Sequence, residues 1–365
     1  MNDDQEHLAR ALRTLAHREP ASPAPVSELV RRGRRARRRR TVAGAVAGTG
    51  LVSAALVVAL GLAGIGPTPP GTPPGTTAVA GAPSSGASHR PGSRSLDARS
   101  VLLAAAETAA REPAASGHYW YVRERTSAPA RYQPKRGRPM REMPFRATLT
   151  TTQDTWDARD EGAPSRTVTG QDPKVTFASA DDEAKWRRLG SPTLAPGKPS
   201  VNDHDMDLSF LIGNHRFPIR KLLTLPTTKD TLESRFRRLY DAESPSDWSP
   251  GKPAFGEYVW SAAQDLLAGP ITPGTRSALY RLLAEQPHIR SLGKVTDSLG
   301  RTGVGLAVKR GGTGESAGEF RLIVDDGTAE LLAYEFRAPG EPEPSLRTSY
   351  EAMGWVGKLG ERPRD

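Results

Sequence analysis

Oxygen-bearing side chains gather most densely at Asn202-Asp203-His204-Asp205-Met206-Asp207. Such a run offers the hard ligands that a Ca²⁺ ion takes. It lacks the central glycine and the terminal bidentate glutamate of an EF-hand loop, so the expectation is a solvated acidic loop. Seven histidines, at 7, 17, 89, 118, 204, 215 and 288, form neither an H-E-x-x-H pair nor a zinc spacing. The glycines of "RGGTGESAG" (310–318) precede no G-K-[ST] and no helix, which fits a hairpin tip rather than a phosphate loop. Ser261, Ser277 and Ser298 sit in no G-x-S-x-G elbow. The chain has no cysteine, which excludes thiolate nucleophiles, disulfides and Cys-bearing zinc sites. No catalytic, cofactor or metal residue is nominated. The expectation is a protein that is not an enzyme and needs no cofactor.

Aromatic residues offer a different chemistry. Tyr119, Trp120, Tyr121, Trp156, Trp186, Trp248, Trp260 and Trp355 are spread over the C-terminal region. Most belong in a core, and a curved sheet carrying them could enclose an apolar concavity for a lipid or peptide.

The elements that would position these residues are legible from 96 onward. "LDARSVLLAAAETAARE" reads as a helix capped by Asp97. "HYWYVRERT" reads as a strand with Tyr119 and Tyr121 on one face and Trp120 and Val122 on the other, and "FRATLTTTQDTWDAR" as a Thr-rich strand. Residues 160–225 read as loop-rich. Three helices follow. "LPTTKDTLESRFRRLY" carries the stripe Leu232, Phe236, Leu239. "FGEYVWSAAQDLLAG" aligns Tyr258, Ala262 and Leu266, with Gly269 as its stop. "ITPGTRSALYRLLAEQP" has Thr272 as cap, Pro273 at the first helical position, and Leu279, Leu282 and Leu283 facing inward. Four strands come next, about Ile289–Thr296, Gly303–Lys309, Glu319–Asp325 and Ala329–Arg337, with Asp326-Gly327 as a type I′ hairpin signal. "SLRTSYEAMGWVGKL" adds a last strand or two. Helices beside an antiparallel sheet make this an α+β region, its sheet free to curve.

The N-terminal third is different. Residues 31–40 hold eight arginines, and residues 41–66 hold no ionisable side chain. As a helix of about 24 residues the apolar run would reach ~36 Å, enough for a hydrocarbon core of about 30 Å. Arg37, Arg38, Arg39 and Arg40 abut it, so the positive-inside bias orients residues 1–40 to the cytoplasm and everything after 66 to the outside. An uncleaved anchor is favoured over a signal peptide because the run is long for an h-region. Gly44 and Gly48 have a helix-pairing spacing that so Ala/Gly-rich a run produces by chance. The chain's formal charge is +10, but residues 1–66 carry eleven Arg against five acids, so the excess is local to the arginine tract. A nucleic-acid face would hold its charge on a folded surface. The bilayer is the expected partner, and specific nucleic acid is not.

Residues 1–40 also carry Leu8, Leu12 and Leu15 at helical spacing, a face for a cytoplasmic regulator. Residues 67–95 are rich in Pro, Gly, Ser and Thr, and read as an extended linker before the 96–365 domain.

The order of these parts, with "LLAAAETAA", "YWYVRER", "LPTTKDTLESRFRRL", "TPGTRSALYRLLAEQPHI" and "GRTGVGLAV…RLIVDDGTAELLAYE", resembles a family of uncharacterised actinobacterial single-pass membrane proteins. The resemblance implies a link to extracytoplasmic-function sigma factors. The terminal meander is similar to the curved sheets of periplasmic lipoprotein carriers and their sigma-regulatory relatives. The chain lacks the His and Cys-x-x-Cys signature of zinc-type anti-sigma factors, and its cytoplasmic part is short for a sigma-binding domain. The expectation is a membrane-anchored extracytoplasmic binding or sensing protein; an anchored hydrolase and a structural envelope protein are the alternatives.

Overall fold

The computed structural model describes residues 97–130, 143–204, 210–245, 252–311 and 317–363. The Leu8/Leu12/Leu15 stripe, Arg37–Arg40, the apolar run and the linker lie outside the described residues. Among the described residues no helix is long and apolar enough to cross a membrane.

Three of the six described helices begin with a side chain accepting from an orphan amide. In α1 (Ala98–Arg111) the Asp97 carboxylate accepts from Ser100 N at 2.8 Å. Helix α2 (Ala180–Arg188) is capped by Ser179, and α3 (Ile219–Leu222) is a single turn. Helix α4 (Lys229–Ala242) buries Leu232 and Phe236, two members of its expected stripe. Helix α5 (Phe255–Leu267) is deeply buried; Tyr258, Val259, Trp260, Ala262 and Leu266 are all sealed from solvent. Helix α6 (Pro273–Ala284) starts with Thr272 accepting from Thr275 N at 3.1 Å and Pro273 at its first position. The Tyr280 hydroxyl then donates to Ala329 O at 2.7 Å and pins α6 to the sheet.

The strands are β1 (Tyr119–Pro129), β2 (Ala147–Ala158), β3 (Ser165–Phe177), β4 (Ser200–His204), β5 (Phe210–Ile212), β6 (His215–Phe217), β7 (Arg290–Thr296), β8 (Thr302–Arg310), β9 (Gly318–Val324), β10 (Leu331–Arg337) and β11 (Leu346–Val356). Nine of them build one sheet in the order β4-β3-β2-β1-β11-β10-β9-β8-β7, and β5 and β6 form a separate hairpin. All the pairings are antiparallel. Two meanders thus join where β1 meets β11, and the α+β expectation holds for the described residues.

Side chains that pair across antiparallel strands share a face. The inner face of β8 and β9 presents Leu306, Val308, Leu322 and Val324 to α1, α4, α5 and α6, and this is the main core. The outer face combines ion pairs with small apolar clusters. Buried Glu319 meets Arg290, Arg321 and Arg337. A register shift in β1/β11 frees Glu351 to bridge Arg123 at 2.7 Å and Arg125 at 2.5 Å. The segment after β11 folds back over this face. Leu359 packs on Tyr121 and Trp156, and Arg362 reaches Asp154 at 2.9 Å.

Three local expectations are corrected. Residues 160–225 hold the long strand β3, whose polar sequence shows no apolar alternation and whose pairing with β2 shifts register twice. The β9–β10 connection is not a two-residue turn. Asp325 Oδ1 accepts from Gly327 N and Thr328 N, and the positive φ falls at Ala329 (56°) rather than Gly327. Gly269 follows α5 but has no positive φ. A Cβ there would meet the Phe210 ring at 2.8 Å, so close approach is what requires the glycine.

Candidate functional site

The inner face changes character along the sheet. Past the aliphatic β8 and β9 it turns polar. Tyr334 pairs with Thr348, Thr348 with Thr126, Tyr350 with Glu124, and Glu124 with Gln153. This row runs from β10 through β11 and β1 to β2. Opposite it lies one stripe of α5, Glu257, Ser261, Gln264, Asp265 and Ala268, at helical spacing. The contacts fix the orientation. Arg310 at the end of β8 donates to Ser261 Oγ at 2.7 Å, and Trp120 Nε1 donates to Ala268 O at 3.0 Å. The other side of α5 is in the core, so the helix separates an apolar interior from this polar row, the region termed the groove below.

The electrostatics agree with a groove. Tyr334 and Tyr350 keep part of their surface open, yet protein surrounds both. Burial pushes the Tyr334 hydroxyl up to about 12, against the opposing pull of Gln264 and Arg310. It pushes Tyr350 well above its ordinary value, helped by the carboxylates of Glu124 and Asp265. Burial also lowers Arg310, which Glu257 partly offsets at 3.8 Å; its guanidinium stacks 4.6 Å from the Phe320 ring centroid. Asp265 is exposed at the rim. The Gln264 amide hydrogen-bonds the Tyr334 hydroxyl, and Arg310 Nε faces Glu257 across 3.8 Å.

Asp157 closes one end. It lies on the inner face of β2, directly across from Trp120. It is 7 % exposed, its Oδ1 has no donor, and burial, with a contribution from Glu124, pushes its carboxyl up to about 7.

Other polar clusters are internally complete. Asp154, on the outer face of the same strand, accepts from Tyr121, Arg123, Gln171 and Arg362. Burial alone would raise its carboxyl; the hydrogen bonds from Gln171, Tyr121 and Arg123 hold it below the usual range. Glu243 accepts from Asn214 N at 2.6 Å and Asn214 Nδ2 at 2.8 Å, which ties the β5–β6 hairpin to α4. A cavity of about 450 Å³ lies by α2, but its Asp182 is engaged by Ser179 and Arg146 N.

The residues singled out from sequence fare unevenly. In the acidic run, Asp203 is held bidentate by Arg166, with both contacts at 2.6 Å, and residues 205–209 lie outside the described residues. Among the described residues no group of histidine, aspartate and glutamate is arranged to hold a metal ion. The sheet face expected to enclose an apolar concavity is filled by α1, α4, α5 and α6. Of the aromatics, Trp120 and Trp355 border the groove, whereas Tyr121 and Trp156 sit under the C-terminal segment on the outer face. Sequence reasoning missed Glu124, Gln153, Asp157, Gln264, Asp265, Arg310, Tyr334 and Tyr350. A usable signal was present in β1: Glu124 follows Trp120 and Val122 on the inward-facing alternate.

The fold defines an α+β protein with one large antiparallel sheet, helices on its inner face and a row of polar side chains where α5 meets β10, β11, β1 and β2. No protein-family model matches the chain, and no curated protein matches it. Among solved structures, the MucA/MucB complex of Pseudomonas aeruginosa matches at 14% identity with a TM-score of 0.23. The match covers 73% of this chain and 59% of that one.

Proposed function

We propose that this chain is a single-pass, membrane-anchored protein whose extracytoplasmic α+β region binds a ligand in the groove between α5 and the sheet and reports it across the bilayer. The observation that carries the binding step is the polar row itself: partly exposed Tyr334 and Tyr350, the carboxylates of Glu124 and Asp265 acting on Tyr350, and the buried Asp157 Oδ1, which has no donor. Buried polar atoms ordinarily find partners, and a bound molecule supplies them here. The orientation rests on Arg37–Arg40 beside the apolar 41–66 run. The reporting step is assigned to the Leu8, Leu12 and Leu15 face, which would meet a cytoplasmic regulator such as a sigma-factor-associated protein.

Photo-crosslinking in intact cells tests both ends. A benzophenone side chain at Gln264 is expected to give an adduct with a non-protein or peptide ligand, and one at Leu12 an adduct with a cytoplasmic protein. Adducts from neither position, with the chain at normal abundance, would reject the reading.

A further inference from the structure

We propose that Trp120, Trp355 and Asp157 form a site for an alkylammonium group at the end of the groove. The proposal rests on the reading that the groove takes a ligand, and it names the chemistry of one end of that ligand. The three residues lie in one row across three strands, because Trp355 pairs with Trp120 and Trp120 with Asp157. All three therefore project from the inner face, about 5 Å from strand to strand. The indoles meet edge to face, with centroids 5.5 Å apart and planes at 71°, which makes a corner rather than a stack. Two ring planes at such an angle and a carboxylate are the elements that hold a methylated or primary ammonium ion.

Three further features ask for a cation there. Asp157 Oδ1 is buried without a donor, and a carboxylate in that state is costly until something positive meets it. Among the described residues no lysine, arginine or histidine forms an ion pair with Asp157; the charged group acting on it is Glu124, another carboxylate. Trp120 Nε1 is bonded to Ala268 O at the C-cap of α5, so the negative end of that helix lies over the same corner. Burial, with a contribution from Glu124, pushes the Asp157 carboxyl up to about 7, and a neighbouring cation would favour its ionised form. A metal ion fits less well, since a single carboxylate beside two indoles offers too few hard ligands.

Calorimetric and tryptophan-fluorescence titration of the full chain in non-ionic detergent tests the site. The probes are choline, n-butylammonium and 3,3-dimethylbutan-1-ol, the last being choline's neutral carbon analogue. Saturable binding is expected for at least one cation and not for the alcohol. Asp157→Asn, which removes the charge and keeps the volume, should weaken it about 10-fold or more, and Trp355→Leu should weaken it with Asp157 intact. Competition by phosphatidylethanolamine vesicles but not by phosphatidylglycerol vesicles would place the ammonium on a lipid headgroup; no difference between them would place it on a soluble amine. Binding of the alcohol as tight as that of choline, no saturable binding by either cation, or equal binding by the Asp157→Asn protein would each overturn the site. A crosslink from Gln264 without ammonium binding would overturn it too, while leaving the groove reading intact.

Discussion

Asp154 and Asp157 are three residues apart on β2, and the alternation of the strand sends them to opposite faces and opposite fates. Outer-face Asp154 is surrounded by donors and stays ionised; inner-face Asp157 has none and its carboxyl rises to about 7. The sign of the consequence follows from linkage. An acid whose pKa is raised on folding holds its proton in the native state over a range where the unfolded chain has released it. Asp157 therefore favours the fold fully below about 4, its unfolded value, and that contribution is lost as the pH climbs to about 7. Asp154, lowered by hydrogen bonds from Gln171, Tyr121 and Arg123, and Glu351, lowered by Arg123 and Arg125, act the other way and withdraw support only on acidification. Urea melts of the full chain at pH 5 and pH 8 should separate the two. Wild type is expected to lose stability between these values, whereas Asp157→Asn should be the more stable protein at pH 8 and nearly flat across the interval. A wild-type curve that rises from pH 5 to pH 8, with no gain in the variant, would show that Asp157 is solvated.

Among the elements, those with a clean period were legible and those without one were not. Helices α4, α5 and α6 announce themselves by leucine and aromatic stripes, and β8 to β10 by the alternating apolar residues Val304/Leu306/Val308, Phe320/Leu322/Val324 and Leu332/Tyr334/Phe336. Strand β3 is invisible to that test because Lys174, Asp172 and Gln171 fall within it and both its faces are largely polar; pairing with β2 and β4, not burial, makes it a strand. The groove escaped notice for a related reason. Its residues come from β1, β2, β8, β10, β11 and α5, so no spacing along the chain records that they meet. Gly269 shows where a correct element carried a wrong cause, since the glycine answers the Phe210 ring rather than a left-handed cap. Gly269→Ala consequently should cost about 1–3 kcal/mol in chemical denaturation by overpacking. Phe210→Leu in the same background should return part of that, because the clash leaves with the ring. A cap role predicts no such rescue.

At the scale of the whole molecule, the positive charge is concentrated ahead of the apolar run, while the region that carries the groove is nearly neutral. That asymmetry suits an arginine flank held by anionic headgroups on one side of a bilayer and a ligand site working free of them on the other. The Pro-rich 67–95 stretch, extended at about 3.1 Å per residue, would reach roughly 90 Å and keep the groove clear of the membrane. The absence of cysteine makes the topology directly measurable, since any introduced thiol is the sole reactive one. Ser27→Cys lies before the arginine block and Ser88→Cys within the linker. In intact cells a membrane-impermeant maleimide should label Ser88→Cys within minutes and leave Ser27→Cys untouched until the membrane is permeabilised. Labelling of Ser27→Cys alone would invert the chain and put the groove in the cytoplasm, where a ligand arriving from outside could not reach it. Protection of both positions before permeabilisation, with both labelled afterwards, would mean that residues 41–66 do not cross the bilayer, and the separation of groove and leucine face on which reporting depends would be lost.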